Sequence, residues 1–290
     1  MTTEKAPMPL FYKKPEPLDA NKHKTLALKK EFGLFFTKDV NAVPITMIEM
    51  PQICHHYPIA FSPDKNATPV AILGLRDNEN LFLDDNGQWE PMTYIPSYIR
   101  RYPFIFSENP QNDQLVLCVD ADMNIVEENG EQRFFTDDGT ATALSKNALE
   151  FCKSYHAAAH QTTDMGKFLS DAGLLVERTA EIMAPNGKKI NFSGFRIIDE
   201  AKLAELDDKT FLELRKKGEA AGGVHHQRGN GVRRGRDHDD EAGGQRAGKL
   251  QGSMVTSLQR FGCRHAESHD FSGRRGRVGP PDSTMAYVTR

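Results

Sequence analysis

The chain has 290 residues and a formal charge of −3, and its composition divides near Gly218. Residues 1–217 hold 18 Lys against 7 Arg with 9 Gly, whereas residues 218–290 hold 1 Lys against 11 Arg with 14 Gly and no Ile. The first part carries −7 and the remainder +4, which excludes a basic nucleic-acid footprint from the body. Only the Arg-Gly run from Gly231 to Arg236 is left as a candidate for such contacts.

Residues 1–218 have enough Leu, Ile, Phe and Val for one sizeable core. Residues 219–290 bury too little apolar surface to offset roughly 1–2 kcal/mol of backbone entropy per residue, so a disordered Gly/Arg-rich tail is expected there. No run approaches the roughly 18 apolar residues of a membrane helix, and Pro51, Pro58, Pro69 and Pro103 break the strongest apolar stretches. Met1 to Leu10 lacks the continuous apolar core of a secretory signal, which makes a soluble, cytoplasmic protein the default. Cys54, Cys118, Cys152 and Cys263 are single and widely spaced, and read as reduced thiols rather than a disulfide framework or metal knuckle.

In chain order, Pro9 to Tyr12, Phe32 to Phe36 and Val43 to Ile48 read as short strands. Pro58 to Phe61, Pro69 to Leu75 and Asn80 to Asp84 are β-branched or aromatic runs between turn residues, and predict an antiparallel sheet. Asp85-Asn86-Gly87 supplies a turn before Trp89. Gln114 to Val119 and Arg133 to Phe135 extend the sheet. From Ser145, placed to cap the start, the period changes to 3.6, with Ala148, Phe151, Cys152, Tyr155 and Ala159 on one stripe. This predicts a long helix that either continues past Thr162-Thr163 or restarts at Thr163 as a second one, ending at Gly173. Ala180 to Ala184 and Lys188 to Phe192 flank Pro185-Asn186-Gly187 as a hairpin, with Gly194 to Ile198 as one more strand. Asp199 opens a helical turn, and Asp207 or Asp208 caps a last helix with Phe211 and Leu214 inward and Gly218 as a stop. Strands in runs, then helices, then strands again, indicate an α+β fold with a mostly antiparallel sheet.

The stretch WEPMTYIPSYIRRYPF from Trp89 to Phe104 resembles the hallmark of the SapC family of bacterial S-layer-associated proteins. The resemblance extends through Val43-Pro44, YPIAF at Tyr57 to Phe61, PVAILGL at Pro69 to Leu75, NLF at Asn80 to Phe82, DNGQW at Asp85 to Trp89 and GFRIIDEAKL at Gly194 to Leu203. It covers roughly residues 9–218 and implies an association with a paracrystalline surface layer, without naming a reaction. It also implies that an apolar segment of the Leu-Pro-x-Val-Tyr kind follows the final Lys-Gly, where AAGGVHHQ stands from Ala220 to Gln227. A reading frame shifted one nucleotide forward turns those codons into ones that can spell LPAVYITS. The tail is therefore expected to be a shifted reading.

Tyr94, Tyr98, Arg100, Arg101 and Tyr102 set two guanidinium groups among three phenols, and are the candidate ligand-binding residues. Such a cluster can hold a carboxylate, phosphate or sugar through charge-assisted hydrogen bonds and stacking. The plainer alternative is that Pro96 starts a short helix whose Tyr98, Ile99 and Tyr102 pack on the sheet while the arginines pair with acids. His156 and His160 stand four apart on the long helix, but no Glu follows the first His as in a zinc-protease helix. Asp120, Asp122, Asn124 and Glu131 match positions 1, 3, 5 and 12 of a calcium loop, yet Ile125 occupies the place where that loop needs Gly. No GxSxG elbow, Walker loop or GxGxxG occurs in the body, so enzyme status has no positive support and catalytic residues stay unassigned; no metal or cofactor is expected.

Two functions follow. The favoured one is a nonenzymatic accessory or structural protein of the bacterial surface layer, with surface-layer or envelope proteins as partners. The alternative is a soluble small-ligand binder or enzyme using the Tyr/Arg cluster.

Overall fold

A computed structural model of the chain describes residues 8–109, 114–122, 124–183, 187 and 189–222. The first half contains strands β1 (Pro15–Pro17), β2 (Leu26–Leu28), β3 (Ala42–Pro44), β4 (Ile59–Phe61) and β5 (Pro69–Ile72), and the short helices α1 (Met50–Ile53) and α2 (Ser97–Arg100). Then come β6 (Phe104–Asn109), β7 (Gln114–Asp120), β8 (Val126–Glu128), β9 (Gln132–Arg133) and the long helix α3 (Ala143–Asp171). The chain continues through β10 (Leu175–Met183), β11 (Lys189–Ile198), α4 (Glu200–Ala204) and α5 (Asp208–Gly222).

The strands form three sheets, ordered β1-β7-β6, β10-β11-β4-β5-β3 and β8-β2-β9, and every pairing is antiparallel. The fold is α+β, as the sequence indicates. The Asp85-Asn86-Gly87 turn forms with Gly87 at φ 75°, and Asp84 Oδ1 accepts from the backbone N–H groups of Asn86 and Gln88. The strand expected over Asn80 to Asp84 reduces to one bridge between Leu83 and Trp89. Pro9 to Tyr12 is a turn, and Phe35–Thr37 a 3-10 helix, rather than strands.

Helix α3 runs unbroken through Thr162 and Thr163 for 29 residues, about 44 Å at 1.5 Å per residue. It starts earlier than the stripe suggests: Thr142 is the N-cap, and its side chain accepts from Ser145 N. Gly173 follows at φ 68°, the conformation a missing Cβ allows. Cys152, on the first half of α3, joins a cluster with Leu26, Phe104, Val119, Val126, Phe134 and Phe135. Met165 and Leu169, on the second half, join the largest cluster beneath the five-stranded sheet, with Val43, Ile45, Phe61, Leu73, Trp89 and Ile99. Gly166 lets the helix approach the loop before β5, since a Cβ there would lie 2.2 Å from Asn66 O.

The hairpin predicted about Pro185-Asn186-Gly187 is the β10–β11 pair, in register from Leu175↔Ile198 to Met183↔Lys189. Residues 184–186 and 188 of its turn lie outside the described residues. Gly194 to Ile198 continues the second arm of this hairpin, with Gly194 at φ 81°. Asp199 caps α4 through Ala201 N and Lys202 N, and Asp207 Oδ1 accepts from Lys209 N and Thr210 N at the start of α5. Two expectations for α5 need correcting. Leu214 is buried but Phe211 is exposed, and the helix continues through Gly218 to Gly222. A helical glycine costs only about 1 kcal/mol relative to Ala, and Gly218 sits buried one turn beyond Leu214, so packing holds the helix through it. The expectation of a disordered tail falls, beyond residue 222, outside the described residues.

Candidate functional site

The five candidate residues lie on and around α2, and the structure sends them in three directions. Pro96 is the N-cap of α2, which buries Tyr98 and Ile99. The next N–H, that of Ser97, donates to Glu49 Oε1 at 2.6 Å. Glu49 comes from a Thr46-x-x-Glu49 capping box: its Oε2 accepts from Thr46 N at 3.1 Å and Thr46 Oγ1 at 2.7 Å. Its carboxylate is 4% exposed and also accepts from Tyr94 Oη at 3.0 Å. Four donors therefore meet one buried carboxylate, which satisfies the charge that burial would otherwise penalise.

Arg100 completes this network on the outer side. Its Nε donates to Ile95 O at 2.9 Å, and its terminal nitrogen donates to Tyr94 Oη at 2.7 Å and Ser97 Oγ at 2.8 Å. The same guanidinium stands 4.0 Å from Glu49 Oε1 and lies over the rings of Tyr94 and Phe151. Burial, reinforced by the nearby Glu49 charge, raises the Tyr94 phenol above its ordinary pKa. Tyr57 Oη donates to Tyr94 O at 2.6 Å and accepts from Trp89 Nε1 at 2.9 Å, tying the turn before α2 to the main core.

Arg101 points the other way, although it is the next residue. Its guanidinium lies 4.2 Å from the ring centroid of Tyr98, 4.5 Å from Tyr155 and 5.6 Å from Tyr12. Its Nε is buried without a hydrogen-bond partner, and among the described residues no carboxylate forms an ion pair with it. Burial opposes its charge, and the phenols of Tyr12, Tyr155 and Tyr98 offset that, with a hydrogen bond to Tyr98. A cleft of about 140 Å³ opens beside it, lined by Arg101, Phe106, Cys152, Tyr155, His156 and Ala159 among others. Burial pushes the Cys152 thiol up to about 11, Arg101 pulling the opposite way, so the thiol is neutral at physiological pH.

Tyr102 joins neither arginine. It is buried against Tyr12, Phe36 and Phe11, and burial, followed by the charges of Asp120 and Asp122, raises its pKa. The structure thus brings Tyr94 to Arg100 and Tyr98 to Arg101, and places Tyr102 in the adjoining aromatic cluster.

The decoys are accounted for locally. Asp120 accepts from Lys13 N and Lys14 N, and Asp122 pairs with Lys13 Nζ at 2.9 Å. His156 and His160 meet at 3.0 Å through their Nε2 atoms. Among the described residues no group of three or more His, Cys, Asp or Glu could hold a metal ion. No helix among them is long and apolar enough to cross a membrane. Sequence reasoning missed Glu49, Tyr12 and Tyr155. Glu49 had a local signal in the capping-box spacing from Thr46, and Tyr155 one in the apolar stripe of α3.

An antiparallel α+β protein with a buried glutamate anchoring a Tyr/Arg segment is the class these features define. The SapC family model matches residues 18–226, and the chain belongs to the SapC family. No curated protein matches the chain. No solved structure matches it either.

Proposed function

We propose that this SapC-family chain is a nonenzymatic accessory or structural protein that acts with the bacterial surface layer. The observation that carries the reading is the inward use of its best-equipped segment. Arg100, Tyr94 and Ser97 are committed to the buried Glu49 and to one another. Arg196 is spent in the same way, donating to Ser62 O at 2.7 Å and to Ser170 Oγ at 3.2 Å. Groups that could serve chemistry hold elements together, as suits a protein whose product is a rigid surface. The connection to the surface layer rests on the resemblance of Trp89 to Phe104 to the S-layer-associated SapC proteins.

Fractionation of cells expressing the tagged full chain, with chemical crosslinking before lysis, tests the reading. Recovery with envelope material, crosslinked to surface-layer subunits, is the expected result. A pool that never copurifies with envelope material would overturn it.

A further inference from the structure

Burying a guanidinium is costly unless its charge and its donors are answered. Arg101 is the second residue of an Arg-Arg pair whose first member is held by Ile95, Tyr94 and Ser97. Its own surroundings are rings: Tyr98, Tyr155 and Tyr12 supply faces that favour a cation, but no formal negative charge. Among the described residues the donor at Nε meets no acceptor. Open space of about 140 Å³ adjoins the Arg101 side chain, walled on its other sides by Ile105, Phe106, Cys152, Tyr155, His156 and Ala159.

We propose that this cleft, between β6 and the first half of α3, binds a small organic carboxylate whose charged end meets Arg101 and whose apolar body lies against Phe106 and Ala159. Three features select the class. One cation calls for one negative charge, because a dianion would set its second charge against walls that, His156 apart, carry no basic group. A planar carboxylate matches the fork of a guanidinium. The volume is close to that of an engineered cavity of about 150 Å³ that accepts benzene, which sets the body at roughly the size of one ring or a short branched chain. Tyr155, whose phenol burial keeps neutral, also lines the cleft beside the cation. The assignment stands on Arg101 and its cleft alone, so it is independent of the surface-layer reading.

Benzoate is the probe, with benzamide as its uncharged match and inorganic phosphate as the dianion, each titrated into the full chain by calorimetry and thermal shift. Benzoate should bind with Kd on the order of 1 mM, as suits a ligand of this size, and raise Tm. Benzamide and phosphate should bind at least about tenfold more weakly. Arg101→Met should abolish the benzoate response. Ala159→Leu, which keeps the charge but fills the cleft, should weaken it as strongly. If Arg101→Met does not fold, Ala159→Leu and the benzoate/benzamide comparison on the unaltered chain still decide. No benzoate binding, equal binding of benzamide, stronger binding of phosphate, or binding that survives Ala159→Leu would each overturn the proposal.

Discussion

Ser97 N and Glu49 Oε1 are 2.6 Å apart although 48 positions separate them in sequence. The single hydrogen bond fixes the start of α2, and with it the opposite headings of Arg100 and Arg101. A carboxylate that also answers Thr46 and Tyr94 cannot be exchanged for an amide without turning one acceptor into a donor facing donors. Glu49→Gln should therefore cost about 2–3 kcal/mol of stability. Urea unfolding followed by the fluorescence of Trp89, the chain's only tryptophan and a member of the main cluster, measures it. A loss below about 0.5 kcal/mol would show that Glu49 does not hold α2.

Gly166 lies inside α3, where propensity alone favours Ala by about 1 kcal/mol. A Cβ at that position would stand 2.2 Å from Asn66 O and 2.7 Å from Ala67 O, both rigid backbone atoms. Gly166→Ala should then destabilise the protein by about 1–3 kcal/mol, against the helix scale. An unchanged or raised Tm would mean that the helix and this loop do not meet as described.

All six tyrosines among the described residues, Tyr12, Tyr57, Tyr94, Tyr98, Tyr102 and Tyr155, have pKa values raised by burial above the ordinary 10.0. Cys152 is raised from 9.0 to about 11. The native state keeps these protons where the unfolded chain releases them, so stability is whole below about pH 9 and declines as pH rises through about 11. Phenolate absorbance should thus appear in one step, together with loss of the native Trp89 fluorescence. Smooth titration near pH 10 in a chain that stays folded would contradict the burial of these rings.

For residues 219–290 we propose a shifted reading frame beginning at Ala220, supported by the abrupt exchange of Lys and Ile for Arg and Gly. The family match ends at residue 226, a few positions beyond that point. Translating the gene one nucleotide forward should give LPAVYITS after Glu219 and an apolar continuation. An early stop or a polar product would refute the shift.

How much of this was legible depends on the distance over which each feature is encoded. Helix α3 announces itself because its burial repeats along one face, and the Gly173 and Gly87 turns because few other residues tolerate their φ. The strands β1, β2, β8 and β9 do not, since two or three residues are too few to show a period of two. The candidate cluster was located by composition, but its division was not. Arg100 and Arg101 differ in surroundings because Glu49 and Phe151 approach one side of α2 while Tyr12 and Tyr155 approach the other. Those neighbours lie dozens of positions away, where no local pattern points to them.

Helix α3 gives Cys152 to one hydrophobic cluster and Met165 and Leu169 to another. Neither can lose its share of that rod and leave the other intact, so the two halves of the body should melt as a single cooperative unit.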